Sequence, residues 1–276
     1  MLSQAAPDAP QAADWAAPDF CLTAGFGIPP EGAKHVGYVQ LSRDRGRTWH
    51  GPYPIPQLAF ARVQVKPDYL VRPDGLVLLF VTVARADPAG RHDGRYGSRF
   101  VAVYATPDAG RTWRYLSCIL AAAPDTPFVE RYYASPVLLP DGRILVALRC
   151  QLNGTNAWPE VHQSEDGGWT WRFLSRVADW GGPTHLRRLE DGRLLAVYGY
   201  RVPPFGIRAR VSEDEGRTWG RELVLRDDGG SHDLGYPRAV TLPGGRVLVA
   251  YYFNRADDAV RCEGGVRHVA GTVFTP

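Results

Sequence analysis

An eight-residue pattern, Ser/Thr-x-Asp-x-Gly-x-Thr-Trp, occurs four times in the chain: Ser42 to Trp49, Thr106 to Trp113, Ser164 to Trp171 and Ser212 to Trp219. Successive copies start 64, 58 and 48 residues apart. A period of tens of residues constrains architecture more firmly than local propensity does. Between the copies lies a second element, an apolar run, a tight turn and another apolar run, as in Val137 to Leu148. Its turns are Asp74-Gly75, Asp141-Gly142 and Asp191-Gly192, with Gly244-Gly245 in the fourth place. Asp-Gly between apolar runs signals a hairpin. Two hairpins per period make a four-stranded antiparallel unit, and no window shows helical periodicity. Within each eight-residue box the Asp carboxylate and the Ser/Thr hydroxyl can accept from turn amides, the Gly can take positive φ, and the Trp can pack between units. The four Asp are therefore read as turn-formers and not as acids.

Three complete units are expected at about 66–119, 133–176 and 183–225. A last one, with strands near Pro237–Leu242, Arg246–Phe253 and His268–Phe274, has no box after it, and Asp19–Ile55 offers at most three strands. The expected fold is an all-β propeller of about five blades forming a single domain over 1–276, the first and last blades incomplete. Residues 1–18 are expected to be flexible or to close the last blade with an N-terminal strand, which would cover an exposed edge. The net charge of +3 is small and the scattered Arg form no run, which argues against a nucleic-acid partner. Cys21, Cys118, Cys150 and Cys262 show no metal-binding spacing and are read as free thiols; no metal or cofactor is expected. Residues Met1–Trp15 lack the pattern of a secretory leader and no stretch has membrane-spanning length, so the expectation is either a cytoplasmic location or a chain without its leader. Oligomeric state is not legible.

The boxes, together with Tyr133-Ala-Ser-Pro-Val-Leu-Leu-Pro-Asp-Gly-Arg-Ile-Leu-Val-Ala-Leu-Arg149, Gly199-Tyr-Arg201, Gly206-Ile-Arg-Ala-Arg-Val-Ser212 and Asp233-Leu-Gly-Tyr-Pro237, resemble the sialidase (neuraminidase) superfamily. The closest resemblance is to its bacterial branch of Asp-box repeat glycoside hydrolases, a six-bladed family, and it is strongest from Glu130 onward. In such a fold the Asp-Gly turns and Asp boxes share one face, and the remaining links gather on the other. Those links hold Glu130, Arg131, Tyr132 and Tyr133; Asp179, Trp180 and His185; His232, Asp233 and Tyr236; Arg85, His92, Asp93 and Arg95; Arg149, Asn153 and Asn156; Arg201 and Arg208; Asn254 and Arg255.

The resemblance implies three Arg on a sugar carboxylate, a Tyr nucleophile with a Glu partner, and an Asp acid/base. A neutral phenol suits an anomeric carbon that bears a carboxylate, because an anionic attacker would be repelled. By position Tyr236 matches the nucleophile, Glu130 its partner, Arg149 the second Arg, and Arg201 or Arg208 the third; planar guanidinium forks suit carboxylates. Tyr133 and Asn156 are further substrate-contact candidates, and Trp158 and Trp180 are either a sugar-stacking platform or core. The family's first Arg, in Phe/Tyr-Arg-Ile-Pro, has no match, nor has the acid that follows it. Arg62 and Asp68 are nearest by order. A different constellation would turn to His185, His232 and Asp233 as acid/base groups.

The function so implied is exo-hydrolysis of a terminal, acidic, sialic-acid-like sugar, with a glycan as the substrate. A non-catalytic carbohydrate-binding or interaction propeller, or a truncated inactive relative, is the alternative from another class, because the first Arg and the acid are missing. A polysaccharide lyase or neutral-sugar hydrolase on the same scaffold is a third.

Overall fold

A computed structural model describes residues 3–5, 14–26, 37–58, 60, 62–84, 99–108, 110–119, 129–152, 156–260 and 265–276. Arg85, His92, Asp93, Arg95, Asn153 and Cys262 lie outside the described residues. The described secondary structure is entirely β. Its strands are β1 (Ser3–Ala5), β2 (Cys21–Phe26), β3 (Gly37–Ser42), β4 (His50–Pro54), β5 (Arg62–Val71), β6 (Val77–Ala84), β7 (Arg99–Thr106), β8 (Thr112–Ile119), β9 (Val129–Leu138) and β10 (Ile144–Leu152). They continue with β11 (Asn156–Ser164), β12 (Arg172–Arg176), β13 (Thr184–Arg188), β14 (Leu194–Tyr200), β15 (Gly206–Ser212), β16 (Leu223–Arg226), β17 (Gly235–Leu242), β18 (Arg246–Phe253) and β19 (His268–Phe274).

Five sheets follow in chain order, in the meandering connectivity of propeller blades: β2-β3-β4; β5-β6-β7-β8; β9-β10-β11-β12; β13-β14-β15-β16; and β17-β18-β19. The sequence places the three full blades and the last three strands to within a few residues. One expectation is corrected. The N-terminal strand β1 pairs antiparallel with β8, Gln4 opposite Trp113, as a fifth strand of the second sheet, and does not pair with β19. As the outer strand of that meander, β8 leaves one row of backbone groups to be paired, which β1 takes. Nor is the segment ahead of the first blade loose throughout: Trp15, only 4% exposed, stacks on Phe20 and meets Tyr69 and Trp113 edge-on.

The chain divides into two compact units, residues 1–144 with 164–172, and residues 145–163 with 173–276. In the first, β6 is buried along its whole length, and Val77, Leu79, Val81 and Val83 join Val39, Leu41, Ile55, Val63, Phe100 and Tyr104 in one core. A run apolar at every position but Thr82 suits a strand covered on both faces. In the second unit, Leu195, Val197, Ile207, Ala209, Leu234, Val247, Val249 and Phe253 form the corresponding core.

The four boxes fold alike. In each, one carboxylate oxygen of Asp44, Asp108, Asp166 or Asp214 accepts from the amide of the Thr four residues on, at 2.8–2.9 Å, and the other accepts from that Thr hydroxyl at 2.5–2.7 Å. The leading Ser or Thr hydroxyl donates to the Asp and accepts from the Gly amide at 2.8 Å. The Gly residues carry φ of 81°, 91°, 99° and 85°, the left-handed region that a Cβ disfavours. These hydrogen bonds hold all four carboxyls below the ordinary carboxylate range, against the opposing effect of desolvation at Asp108, Asp166 and Asp214.

Two boxes also lock onto the preceding blade. In the first unit Ser117 of β8 donates to the Gly168 carbonyl at 2.5 Å and accepts from Trp171 Nε1 at 3.1 Å. In the second unit Ser175 of β12 does the same with Gly216, at 2.5 Å, and Trp219 Nε1, at 3.0 Å. The box Trp thus packs between blades through a specific polar joint as well as by area.

Candidate functional site

In the second unit the link from β16 to β17, residues 227–234, is fastened at several points. Asn254, fully buried just after β18, accepts from the Gly230 and Ser231 amides at 2.9 and 2.8 Å and donates to the Asp233 carbonyl at 2.7 Å. A Gly229–Arg255 bridge and the Ala256 amide on the Asp228 carbonyl, 2.9 Å, add to it. Tyr236 then takes φ +49°, between Gly235 at +116° and Pro237, where the β17–β18 register slips between Gly235 and Arg238. A non-glycine residue in the left-handed region is uncommon, and bulges of this kind re-aim side chains beside active sites.

That geometry assembles a polar group. Arg201, at the end of β14, donates from Nε to the Leu234 carbonyl at 3.0 Å and from Nη2 to the Tyr252 hydroxyl at 3.0 Å. Its guanidinium carbon lies 5.4 Å from the Tyr236 ring centre. Tyr252 donates to Asp233 Oδ1 at 2.5 Å, and Arg267 Nε donates to Oδ2 at 2.6 Å. The Tyr236 and Tyr252 rings are 5.7 Å apart and tilted by 31°. Chiefly through the Tyr252 hydrogen bond, and with help from Arg267 and Arg201, Asp233 stays below the ordinary carboxylate range despite some desolvation. Burial pushes the Tyr252 phenol up, with Asp233 adding to the rise and Arg201 opposing it. At neutral pH the arrangement is a protonated phenol, an ionised carboxylate and two guanidinium ions.

Of the sequence candidates, Arg201, Asp233 and Tyr236 are brought together here. His232 is exposed on the same link. Arg208 is not in the group. It is 3% exposed, donates to the carbonyls of Ile207, Arg226 and Pro204, lies 3.5 Å from Glu222 and covers the Tyr200 ring at 4.7 Å. Those partners tie β15 to β16. His185 accepts from the Ala239 amide at Nδ1, 3.0 Å, linking β13 to β17. Burial, with Arg238 and Arg187 nearby, pulls its pKa down to about 3, so it is neutral across the physiological range. Arg149 donates to Gln151 at 3.0 Å, and Asn156 is exposed at the start of β11. Trp158 donates to Glu160 at 2.7 Å and carries the Arg176 guanidinium over its ring at 4.8 Å, whereas Trp180 is 41% exposed.

Glu130 and Tyr133 belong to the first unit. Glu130, 1% exposed on β9, accepts from Arg99 Nε at 2.9 Å and Nη2 at 2.5 Å, and the same guanidinium lies 4.7 Å from the Tyr132 ring centre. Tyr133 has φ +58° and donates its amide hydrogen bond to Thr82 Oγ1, at 3.3 Å. It shares the left-handed conformation of Tyr236. Asp68 accepts from Ser135 at 3.3 Å, and Arg62 heads β5 with Nε buried and, among the described residues, without a partner. A cavity of about 670 Å³ in this unit, lined by Trp15, Val71, Arg72, Pro107, Asp108 and Arg111, lies at the box end and holds none of the candidates.

Sequence reading missed Tyr252, Arg267 and Arg99. Tyr252 lies within Tyr-Tyr-Phe-Asn, which reads as the end of a core strand, and nothing in that run singles it out. Among the described residues no group of three His, Cys, Asp or Glu side chains is placed to hold a metal ion. Cys21, Cys118 and Cys150 are free thiols.

The repeated blades and their Asp-box turns define a repeat protein of the β-propeller class. Residues 29–249 match the family described as "BNR repeat-like domain", and the chain belongs to that family. A protein of unknown function from Dyadobacter fermentans is 30% identical, with a TM-score of 0.75, over 96% of this chain and 74% of that one. The GH93 alpha-L-arabinofuranosidase of Fusarium graminearum, solved with arabinobiose, is 18% identical with a TM-score of 0.58, over 78% of this chain and 63% of that one. The Trypanosoma rangeli sialidase, solved with sialic acid, is 15% identical with a TM-score of 0.62, over 93% of this chain and 46% of that one. The last two likenesses speak for the fold alone. No curated protein matches the chain.

Proposed function

We propose that the chain is a glycoside hydrolase that removes a terminal acidic sugar at the Arg201–Tyr236–Tyr252–Asp233 group. The observation that carries this reading is the state of Arg201. Its side-on fork, Nε with Nη2, is spent on the Leu234 carbonyl and Tyr252, while Nη1 has no partner among the described residues. An anchored guanidinium with its end-on fork open suits a carboxylate, to which it can donate two parallel hydrogen bonds. Tyr236 is proposed as the nucleophilic phenol, re-aimed by its bulge. Asp233, held ionised, suits stabilisation of the positive charge that develops on the sugar ring in an oxocarbenium-like transition state. A carboxylate held ionised in this way is a poor proton donor.

A second reading, hydrolysis of a neutral sugar, is favoured by the placement of Arg208. With that guanidinium turned to backbone carbonyls, the second unit offers Arg201 without the Arg208 alternative, and structural neighbours of the chain include an arabinofuranosidase. Fluorogenic sialosides, uronides and arabinofuranosides separate the two. Turnover of an acidic glycoside that is lost in Tyr236→Phe supports the first reading, and turnover of the arabinofuranoside alone the second. Glycan binding without turnover of any of them would overturn both in favour of a binding module.

A further inference from the structure

We propose that Tyr252 is a positioning residue of this site: held by Asp233, it presents its oxygen to Arg201 and so fixes the guanidinium whose open fork receives the sugar carboxylate. The inference rests on the acidic-sugar reading and adds to it a residue that the sequence did not point to.

A tyrosine hydroxyl has one proton to give, and its oxygen accepts through lone pairs. Here the proton is committed to Asp233 Oδ1 at 2.5 Å, which turns a lone pair toward another donor, and Arg201 Nη2 occupies that place at 3.0 Å. Asp233 is fixed in turn from three sides. Arg267 holds its second oxygen at 2.6 Å, Asn254 holds its backbone carbonyl at 2.7 Å, and the Ser231 hydroxyl accepts from its amide at 3.4 Å. The order of support therefore runs from the β18–β19 link and β18 to Asp233, from Asp233 to Tyr252, and from Tyr252 to Arg201. Backbone packing closes around the same side chain. A Cβ on Gly182 would meet Arg201 Nε at 3.2 Å and Cδ at 3.4 Å, so the stem of that side chain rests against a position that only glycine leaves open.

Without Tyr252 the Arg201 head group keeps only the Leu234 carbonyl and regains rotamer freedom, which must then be frozen again when an anion binds. The loss should fall on recognition of the charge and spare that of the sugar hydroxyls.

The test uses the full chain, with N-acetylneuraminic acid as the acidic probe and arabinose as the neutral one. Binding constants are measured by titration calorimetry, and kcat and KM on an acidic fluorogenic glycoside. In Tyr252→Phe the Kd for the acid and the KM should rise about tenfold, with kcat within about threefold of the parent and arabinose binding unchanged. Arg267→Gln, which frees one oxygen of Asp233 and so loosens its hold on Tyr252, should raise the acid Kd about threefold and leave arabinose binding unchanged. That variant also keeps the test available if the Phe variant does not fold. An acid Kd within twofold of the parent in Tyr252→Phe, an unchanged acid Kd in Arg267→Gln, or equal losses for both probes would each overturn the inference and leave the reading intact. Failure of the unaltered chain to bind the acid at all would overturn the reading, and the inference with it.

Discussion

The polar joint between blades gives the most direct handle on what holds the repeat together. Ser175, 7% exposed, donates to the Gly216 carbonyl at 2.5 Å and accepts from Trp219 Nε1 at 3.0 Å. In Ser175→Ala both partners are orphaned with almost no change of volume. A hydrogen bond contributes about 1 kcal/mol net, and a buried polar group left unmade costs about 1–3 kcal/mol. Gly216 is buried and bears that cost, whereas the half-buried Trp219 ring can turn its N–H toward water and bears less. The sum is about 2 kcal/mol, or about 4–8 °C in Tm for a chain of this order of size. Urea unfolding followed by tryptophan fluorescence measures it. In a Trp219→Phe background the same substitution should cost about 1 kcal/mol less, because that variant has already removed one of the two bonds. A Ser175→Ala loss under about 0.5 kcal/mol, or no coupling to Trp219, would refute the idea that the box Trp is held by hydrogen bonding as well as by contact.

Two further outcomes follow from the second unit. His185, with its folded pKa lowered to about 3 against about 6.5 unfolded, binds a proton more readily in the unfolded chain between those values. Its contribution to stability is therefore complete above about pH 6.5 and is lost progressively as the pH falls toward 3. Unfolding free energy measured across that window should have a steeper slope in the parent than in His185→Gln, by up to about 1.4 kcal/mol per pH unit. Gly182→Ala, which would set a Cβ 3.2 Å from Arg201 Nε and 3.1 Å from the Gly199 carbonyl, should raise KM for an acidic glycoside about three- to tenfold while kcat holds. A lowered kcat at constant KM would show that Arg201 does not act in binding.

The architecture was legible because it is repeated. Each Asp box specifies its own turn through residues two to four positions apart, so four local solutions agree and the strands between them are fixed in number and order. The N-terminal strand was misplaced for the converse reason. Ser3–Ala5 is three residues long and carries no box and no hairpin, so nothing local in it names β8 as its partner. The serine joint was in plain view yet unread: Trp113-Arg-Tyr-Leu-Ser117 and Trp171-Arg-Phe-Leu-Ser175 share a Trp followed four residues later by Ser. Each Ser serves the Trp of the next box and not its own, so the spacing within one copy does not disclose the partner.

The candidate site divides along the same line between local and long-range specification. Tyr236 was legible because its special backbone is written around it, with Gly before and Pro after. Arg201 and Asp233 were legible as polar residues at strand ends. What the sequence did not distinguish was Arg201 from Arg208, two arginines seven residues apart flanking one hairpin of a single blade. Their fates are decided by partners far along the chain: Tyr252 and Leu234 for Arg201, and the carbonyls of Arg226 and Pro204 for Arg208. Arg208, whose donors meet backbone carbonyls and the Glu222 carboxylate in a dry setting, becomes part of the frame, since the charge must be compensated where it is buried. Arg201, with Nη1 unpartnered among the described residues, is the one that the proposal assigns to a ligand. The difference is a matter of hydrogen-bond supply, and that supply is set by the β16–β17 link, whose course Asn254 fixes from the far end of the next hairpin.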